Sequence, residues 1–265
     1  MNSKGATDVS VFAYALILVG LTLSGSLSGV LSDIAYPLAF ILPSVLALVV
    51  GKRAGASLPK LKIKREKLPI FLLSVFPSVV AILAVSLLTS FVLGLFGRVS
   101  EVTVYETLCE NMLRHAIFPA FLEEVAFRLM PMSLFGKSGR RECIIVSSVC
   151  FAAVHASLFQ IPYAFVAGVI FITLNYACES ALPSFVIHVI NNGVSVISLY
   201  YELDISVIIA VSLLAILSLI LIYRKKIPCL ELLRDIFREK CKLKLSFSLL
   251  IIVIPTLIVA IISLL

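Results

Sequence analysis

From Pro69 to Phe96 the chain reads PIFLLSVFPSVVAILAVSLLTSFVLGLF, without one ionisable side chain. Wound as a helix at about 1.5 Å per residue, this stretch outruns the roughly 30 Å hydrocarbon core of a bilayer. The rest of the 265-residue chain has the same character: 61% of residues are hydrophobic, 14% are charged, and mean hydropathy is +1.13. An ordinary soluble domain is about half apolar and about a quarter charged, so this chain cannot cover a water-facing surface. The composition excludes intrinsic disorder, a disulfide-stapled secreted mini-domain and a nucleic-acid-binding module, despite a net charge of +7.

Working outward from 69–96, nine segments qualify as spans: Val11–Leu31, Ala35–Val50, Pro69–Phe96, His115–Phe135, Cys143–Phe159, Pro162–Cys178, Pro183–Tyr200, Ile205–Tyr223 and Leu245–Leu265. The second, fifth and sixth are short, which suits a tilted, re-entrant or buried helix. The expected fold class is therefore all-α, a polytopic transmembrane helical bundle of eight or nine spans. Residues 1–265 form a single integral-membrane domain, with its motif-bearing core at 105–200. No loop is long enough for a separate soluble domain. The first span has no clear cleavage site and reads as a retained helix, with Gly25-x-x-x-Gly29 expected to pack closely against a neighbour.

Sorting the charges by loop explains the +7. With nine spans, 19 of the 22 Lys and Arg fall on one side: Lys4, the run from Lys52 to Lys67, the group Lys137, Arg140 and Arg141, and the stretch from Arg224 to Lys244. The other side carries Asp33, Glu101, Glu106, Glu110, Glu202 and Asp204. The positive-inside rule makes the basic side cytoplasmic, with the N-terminus inside and the C-terminus outside. Leu230, Leu233 and Phe237 recur at helical spacing among Arg234, Arg238 and Lys240, as in a short amphipathic helix on anionic lipid at the cytoplasmic face. Val104, Leu108 and Met112 form a similar interfacial stripe. The six cysteines show no C-x-x-C or zinc-finger spacing and are assigned no chemistry.

Ionisable residues inside spans carry the function, since each charge at the bilayer centre costs roughly 2.5–3.5 kcal/mol even on a lenient scale. They cluster at Glu123, Glu124 and Arg128, at His155 with Phe151 four residues before it, and at His188 with Asn192 four residues after it. Glu124 and Arg128 share a helix face and form an ion pair, whereas Glu123 is turned about 100° away and needs another partner. Counting from the cytoplasmic ends puts Glu123 and His155 about 18–20 Å deep, His188 about 8 Å and Asn192 about 14 Å. The four are expected to line one cavity opening to the cytoplasm, provided that the fourth, fifth and seventh helices are neighbours. Asn191, facing elsewhere, and His115, at the outer interface, read as packing. A carboxylate and a neutral imidazole can take a proton from water, or hold a metal that activates it, while a second imidazole and an amide stabilise an oxyanion. No G-x-S-x-G or H-E-x-x-H motif offers a covalent or zincin route.

At these residues the chain resembles the CAAX prenyl endopeptidase type II and bacteriocin-processing (CPBP, Abi-like) intramembrane proteases. The family motifs E-E-x-x-x-R, F-x-x-x-H and H-x-x-x-N match Glu123-Glu124 with Arg128, Phe151 with His155, and His188 with Asn192, in family order. The resemblance implies an endopeptidase acting on a membrane-associated peptide or protein, prenylated or not. In it Glu123 and His155 activate water, His188 and Asn192 stabilise the oxyanion, and Glu124, Arg128 and Phe151 support them. Water activation by Glu123 without an obligatory metal stands beside a zinc or other divalent ion held by Glu123, His155 and His188; Asn192, an uncommon ligand, favours the former. Buried Glu and His also suit a proton- or ion-coupled transporter, for which no inverted repeat is visible. A non-catalytic membrane scaffold of the same fold is the third reading.

Overall fold

The computed structural model describes residues 1–98, 107–136, 139–201, 205–224 and 247–262, together with Arg234 and Arg238. Among them the chain is helical, with no strand: α1 (Ser3–Gly25), α2 (Val30–Arg53), α3 (Leu68–Leu95), α4 (residues 108–135), α5 (Arg140–Ala153), α6 (Ile161–Cys178), α7 (Leu182–Ile197), α8 (Ile205–Arg224) and α9 (Phe247–Ile262). Five helices are long and apolar enough to cross a membrane: α1, α2, α3, α6 and α8. Their outer faces confirm the solvent: Leu87, Phe91 and Leu95 of α3 are 66–70% exposed, a surface that only lipid would tolerate. The amphipathic stretch between Pro228 and Lys240, Val104, and the acids Glu101, Glu106, Glu202 and Asp204 lie outside the described residues, apart from Arg234 and Arg238.

α1 packs on α2, α5 on α6, α6 on α7, and α3 on both α6 and α8; α4 touches α2, α5 and α7. The glycine expectation for this packing needs correcting. Gly25 ends α1 with open space around it, and Gly29 sits at φ +60 in the turn that starts α2, so that pair makes a turn instead of a contact. Close approach comes at Gly20, where a Cβ would lie 2.8 Å from the Ala39 methyl, and at Gly168, where it would lie 2.9 Å from the Ser148 Cα.

α4 is α-helical at Leu108–Asn111, Phe118–Glu124 and Met130–Phe135 and widens into π geometry at Met112–Ile117 and Val125–Leu129. Each wide stretch ends two residues before a proline, Pro119 or Pro131. Proline has no N–H and its ring presses on the carbonyl four residues back, so the wider turn gives that carbonyl room. For Pro131 the carbonyl is that of Phe127, and the Ser147 hydroxyl of α5 donates to it. This locks α4 to α5 just below the functional cluster.

The two ends of the bundle are stitched differently. At one end the Met1 ammonium donates to the Ala54 carbonyl at 3.2 Å, Ala181 N donates to Lys60 O at 2.8 Å, and the Ser180 hydroxyl donates to Leu61 O at 3.0 Å. Lys64 lies 3.2 Å from Glu179, whose carboxylate holds the ammonium above its ordinary pKa. The loop between α2 and α3 thus lies across the turn between α6 and α7 at the end that carries Lys52, Arg53, Lys60, Lys62 and Lys67. At the opposite end Arg114 joins Glu110 of its own helix at 3.2 Å to Asp33 of α2 at 3.4 Å.

Candidate active site

α4, α5, α6 and α7 deliver the cluster. Glu124 is its hub. Its Oε1 accepts from His188 Nδ1 at 2.9 Å and lies 3.5 Å from Arg128 Nε, while its Oε2 accepts from the Ser184 hydroxyl. Ser184, the second residue after Leu182 at the start of α7, also accepts from Asn175 Nδ2 at 2.7 Å, and its own N–H donates to Asn175 Oδ1 at 3.0 Å. This Asn175–Ser184–Glu124 chain ties α6, α7 and α4 together in a region with no solvent contact, which makes each bond expensive to lose.

Arg128 is fully buried, and its charge is matched by Glu124 on one side and by aromatic faces on the others. Its guanidinium carbon stands 4.0 Å from the Phe151 ring centroid and 5.1 Å from that of Phe171. Phe151 therefore does three jobs: it covers Arg128, meets His155 edge-on at 5.0 Å, and meets His188 edge-on at 5.8 Å. That contact set gives the phenylalanine of the F-x-x-x-H spacing a physical role.

Glu123 finds the partner its helix could not supply. Its Oε2 lies 3.4 Å from His188 Nε2, with the side chain 12% exposed. His188 thus stands between two adjacent carboxylates. Its Nδ1 faces Glu124 and its Nε2 faces Glu123. His155 follows the end of α5, beside Ala156 at φ +47. Its Nδ1 faces the Phe151 carbonyl at 2.8 Å. A carbonyl only accepts, so Nδ1 carries the hydrogen and Nε2 of the neutral ring is left with a lone pair.

Glu123, His155, His188, Asn191 and Asn192 line one cavity of about 710 Å³, joined by Tyr36 of α2 and Tyr163 of α6. The seventh helix contributes more than expected. Asn191 lines the cavity too, and its Nδ2 reaches Asn192 Oδ1 at 3.5 Å, which leaves the Asn192 NH₂ as that side chain's donor. The cavity is wide enough to reach past one helix face, so Asn191, buried at 6% exposure, lines it beside Asn192. His115 also lines it. Among the described residues no group of three His, Cys, Asp or Glu is spaced to hold a metal ion.

The buried lining of the cavity includes Phe40, Phe151, Phe171 and His188 but also Ser24, Ile82, Ala167, Asn191 and Val196, and its exposed lining is Gly25, Ser90, Ser195 and Leu199. Those exposed residues mark the end of the bundle opposite the basic loops.

Sequence reasoning missed Ser184, Asn175, Tyr36 and Tyr163. A carboxylate–imidazole cluster thus sits in an all-helical bundle with membrane-length apolar helices, beside a cavity edged by hydroxyls. Residues 106–194, which hold the whole cluster from Glu123 to Asn192, match the family model described as type II CAAX prenyl endopeptidase Rce1-like. Searches of curated proteins and of solved structures found no match.

Proposed function

We propose that the chain is an intramembrane endopeptidase that hydrolyses a peptide bond in a membrane-associated substrate with an activated water, and that the short helices α4, α5, α7 and α9 cross the membrane with the five long ones. The observation that supports the reading is the convergence of Glu123, His155, His188 and Asn192 on one cavity. Water held between the Glu123 carboxylate and the His155 Nε2 lone pair gives up a proton as its oxygen bonds to the scissile carbonyl carbon. The carbonyl oxygen, becoming an oxyanion, receives hydrogen bonds from His188 Nε2–H and the Asn192 NH₂. Collapse breaks the C–N bond, and the proton taken from water passes to the leaving amine. Glu124 keeps His188 Nδ1 engaged, so that Nε2 stays aimed at the cavity; Arg128 balances the Glu124 charge.

The test is cleavage of a membrane-anchored peptide, with and without a prenyl group, by the full chain in lipid nanodiscs. Glu123→Gln should lower the rate by about 10²–10⁴ while the helical content is kept. Full activity of that variant overturns the mechanism. Undiminished cleavage after exhaustive chelation is the expected result, and chelator-sensitive activity restored by a divalent metal would replace proton transfer with metal activation.

A further inference from the structure

The loop joining α2 to α3 runs between two membrane-length helices, so it lies at one surface of the bilayer. From Lys52 to Lys67 the chain carries seven Lys and Arg against one acid, Glu66. Lys64 is engaged with Glu66 and Glu179, whereas Lys60, Lys62 and Arg65 are exposed and form no ion pair among the described residues. Beside them Leu58 and Leu61 are each 62% exposed. Cations for the headgroups and leucines for the acyl boundary are what an anionic leaflet takes up. The loop is also held still. Ile63 packs against Ile70, Ala177 and Cys178, the Lys60 carbonyl accepts from Ala181 N–H at 2.8 Å, and the Leu61 carbonyl accepts from the Ser180 hydroxyl at 3.0 Å. Basic side chains on a fixed backbone lose less freedom on binding than those of a loose tail.

The same bonds lead inward. Ser180 Oγ also accepts from Leu182 N–H at 3.2 Å, and the Ala181 carbonyl lies 3.3 Å from the Ser184 hydroxyl, which donates to Glu124. That hydroxyl has one proton and two acceptors in reach, Ala181 O and Glu124 Oε2, so the placing of Ala181 by Lys60 sets how firmly Ser184 holds the carboxylate. We propose that residues 54–67 form a binding site for the headgroups of anionic phospholipids, and that an occupied loop steadies the α6–α7 turn and, through Ser184, the Glu124–His188 pair. Each Lys or Arg near an anionic surface is worth about a fivefold enrichment of such lipid, and Lys60, Lys62 and Arg65 act together here.

The chain has no tryptophan, so Leu61→Trp supplies a single fluorescent reporter at the loop. In nanodiscs that mix phosphatidylglycerol and phosphatidylcholine equally, bromine on the acyl chains of the phosphatidylglycerol should quench it about twofold more than bromine on those of the phosphatidylcholine. Adding Lys60→Gln, Lys62→Gln and Arg65→Gln should erase the difference. Equal quenching by the two lipids beside the basic loop, or a difference that survives neutralisation, overturns the site. Amide hydrogen exchange reads the coupling separately, without reference to catalysis. Residues 179–184 of the native chain should exchange about threefold more slowly in the mixed nanodiscs than in phosphatidylcholine alone, with no slowing in the triply neutralised chain. Unchanged exchange, or the same slowing in both chains, overturns the transmission to Glu124 and leaves the lipid site standing.

Discussion

Glu123 and Glu124 are adjacent, chemically identical and opposite in what they should do when neutralised. Glu124→Gln keeps the shape and removes the charge that Arg128 faces at 3.5 Å. Arg128 is fully buried, its Nη1 and Nη2 make no hydrogen bond among the described residues, and the Phe151 and Phe171 rings stand against its guanidinium. Leaving a buried cation without its counter-charge costs about 3–5 kcal/mol, of which cation–π attraction, worth about 2 kcal/mol when desolvated, is already present in the native protein and recovers nothing. Glu123→Gln loses only a 3.4 Å contact at a side chain facing the cavity, about 0.5–1.5 kcal/mol. Thermal unfolding in one detergent should therefore separate the two variants by on the order of 10 °C, with Glu124→Gln the lower, while the peptide assay shows Glu123→Gln folded and inactive. Arg128→Met added to Glu124→Gln removes the stranded cation and should restore most of the lost stability, because a buried pair replaced on both sides is often neutral or better. Equal melting of the single variants, or no recovery in the double one, would refute the assignment of Glu124 as the counter-charge that holds the cluster together.

Two further outcomes probe the scaffold. Ser184→Ala removes the donor to Glu124 and the acceptor of the Asn175 amide; unfolding should show a loss of about 2–3 kcal/mol, and cleavage should slow by roughly tenfold as His188 loses part of its support. Gly168→Ala puts a methyl 2.9 Å from the Ser148 backbone, whereas Gly25→Ala meets nothing within 4 Å; the unfolding midpoint should fall by about 1–3 kcal/mol equivalent for the first and hold or rise for the second. Matching midpoints would mean that α5 and α6 are free to move apart.

What could be read from sequence was whatever the helix period alone determines. Apolar runs marked the helices, and the four-residue spacings placed Glu124 on Arg128, Phe151 on His155 and His188 level with Asn192. Contacts between helices were not legible. Ser184 shows why: in sequence it resembles Ser74 and Ser78, whose hydroxyls bond back to their own helix at Ile70 O and Ser74 O, both at 2.6 Å. A membrane serine with no other partner does just that. Only the approach of α4 and α6 to the start of α7 gives Ser184 a carboxylate and an amide instead.

The same distinction holds around the cluster. Counting residues from the basic loops carried no information about which neighbours stand above and below a residue. Here Pro131 widens α4 and frees the Phe127 carbonyl for Ser147, which draws α5 against α4 beneath the cluster. Phe127 is then fixed against Tyr14 at 4.9 Å and Phe151 at 5.3 Å. A proline whose sequence reading is merely a helix irregularity thus fixes, through one carbonyl, how α4 meets α5 beside the cluster.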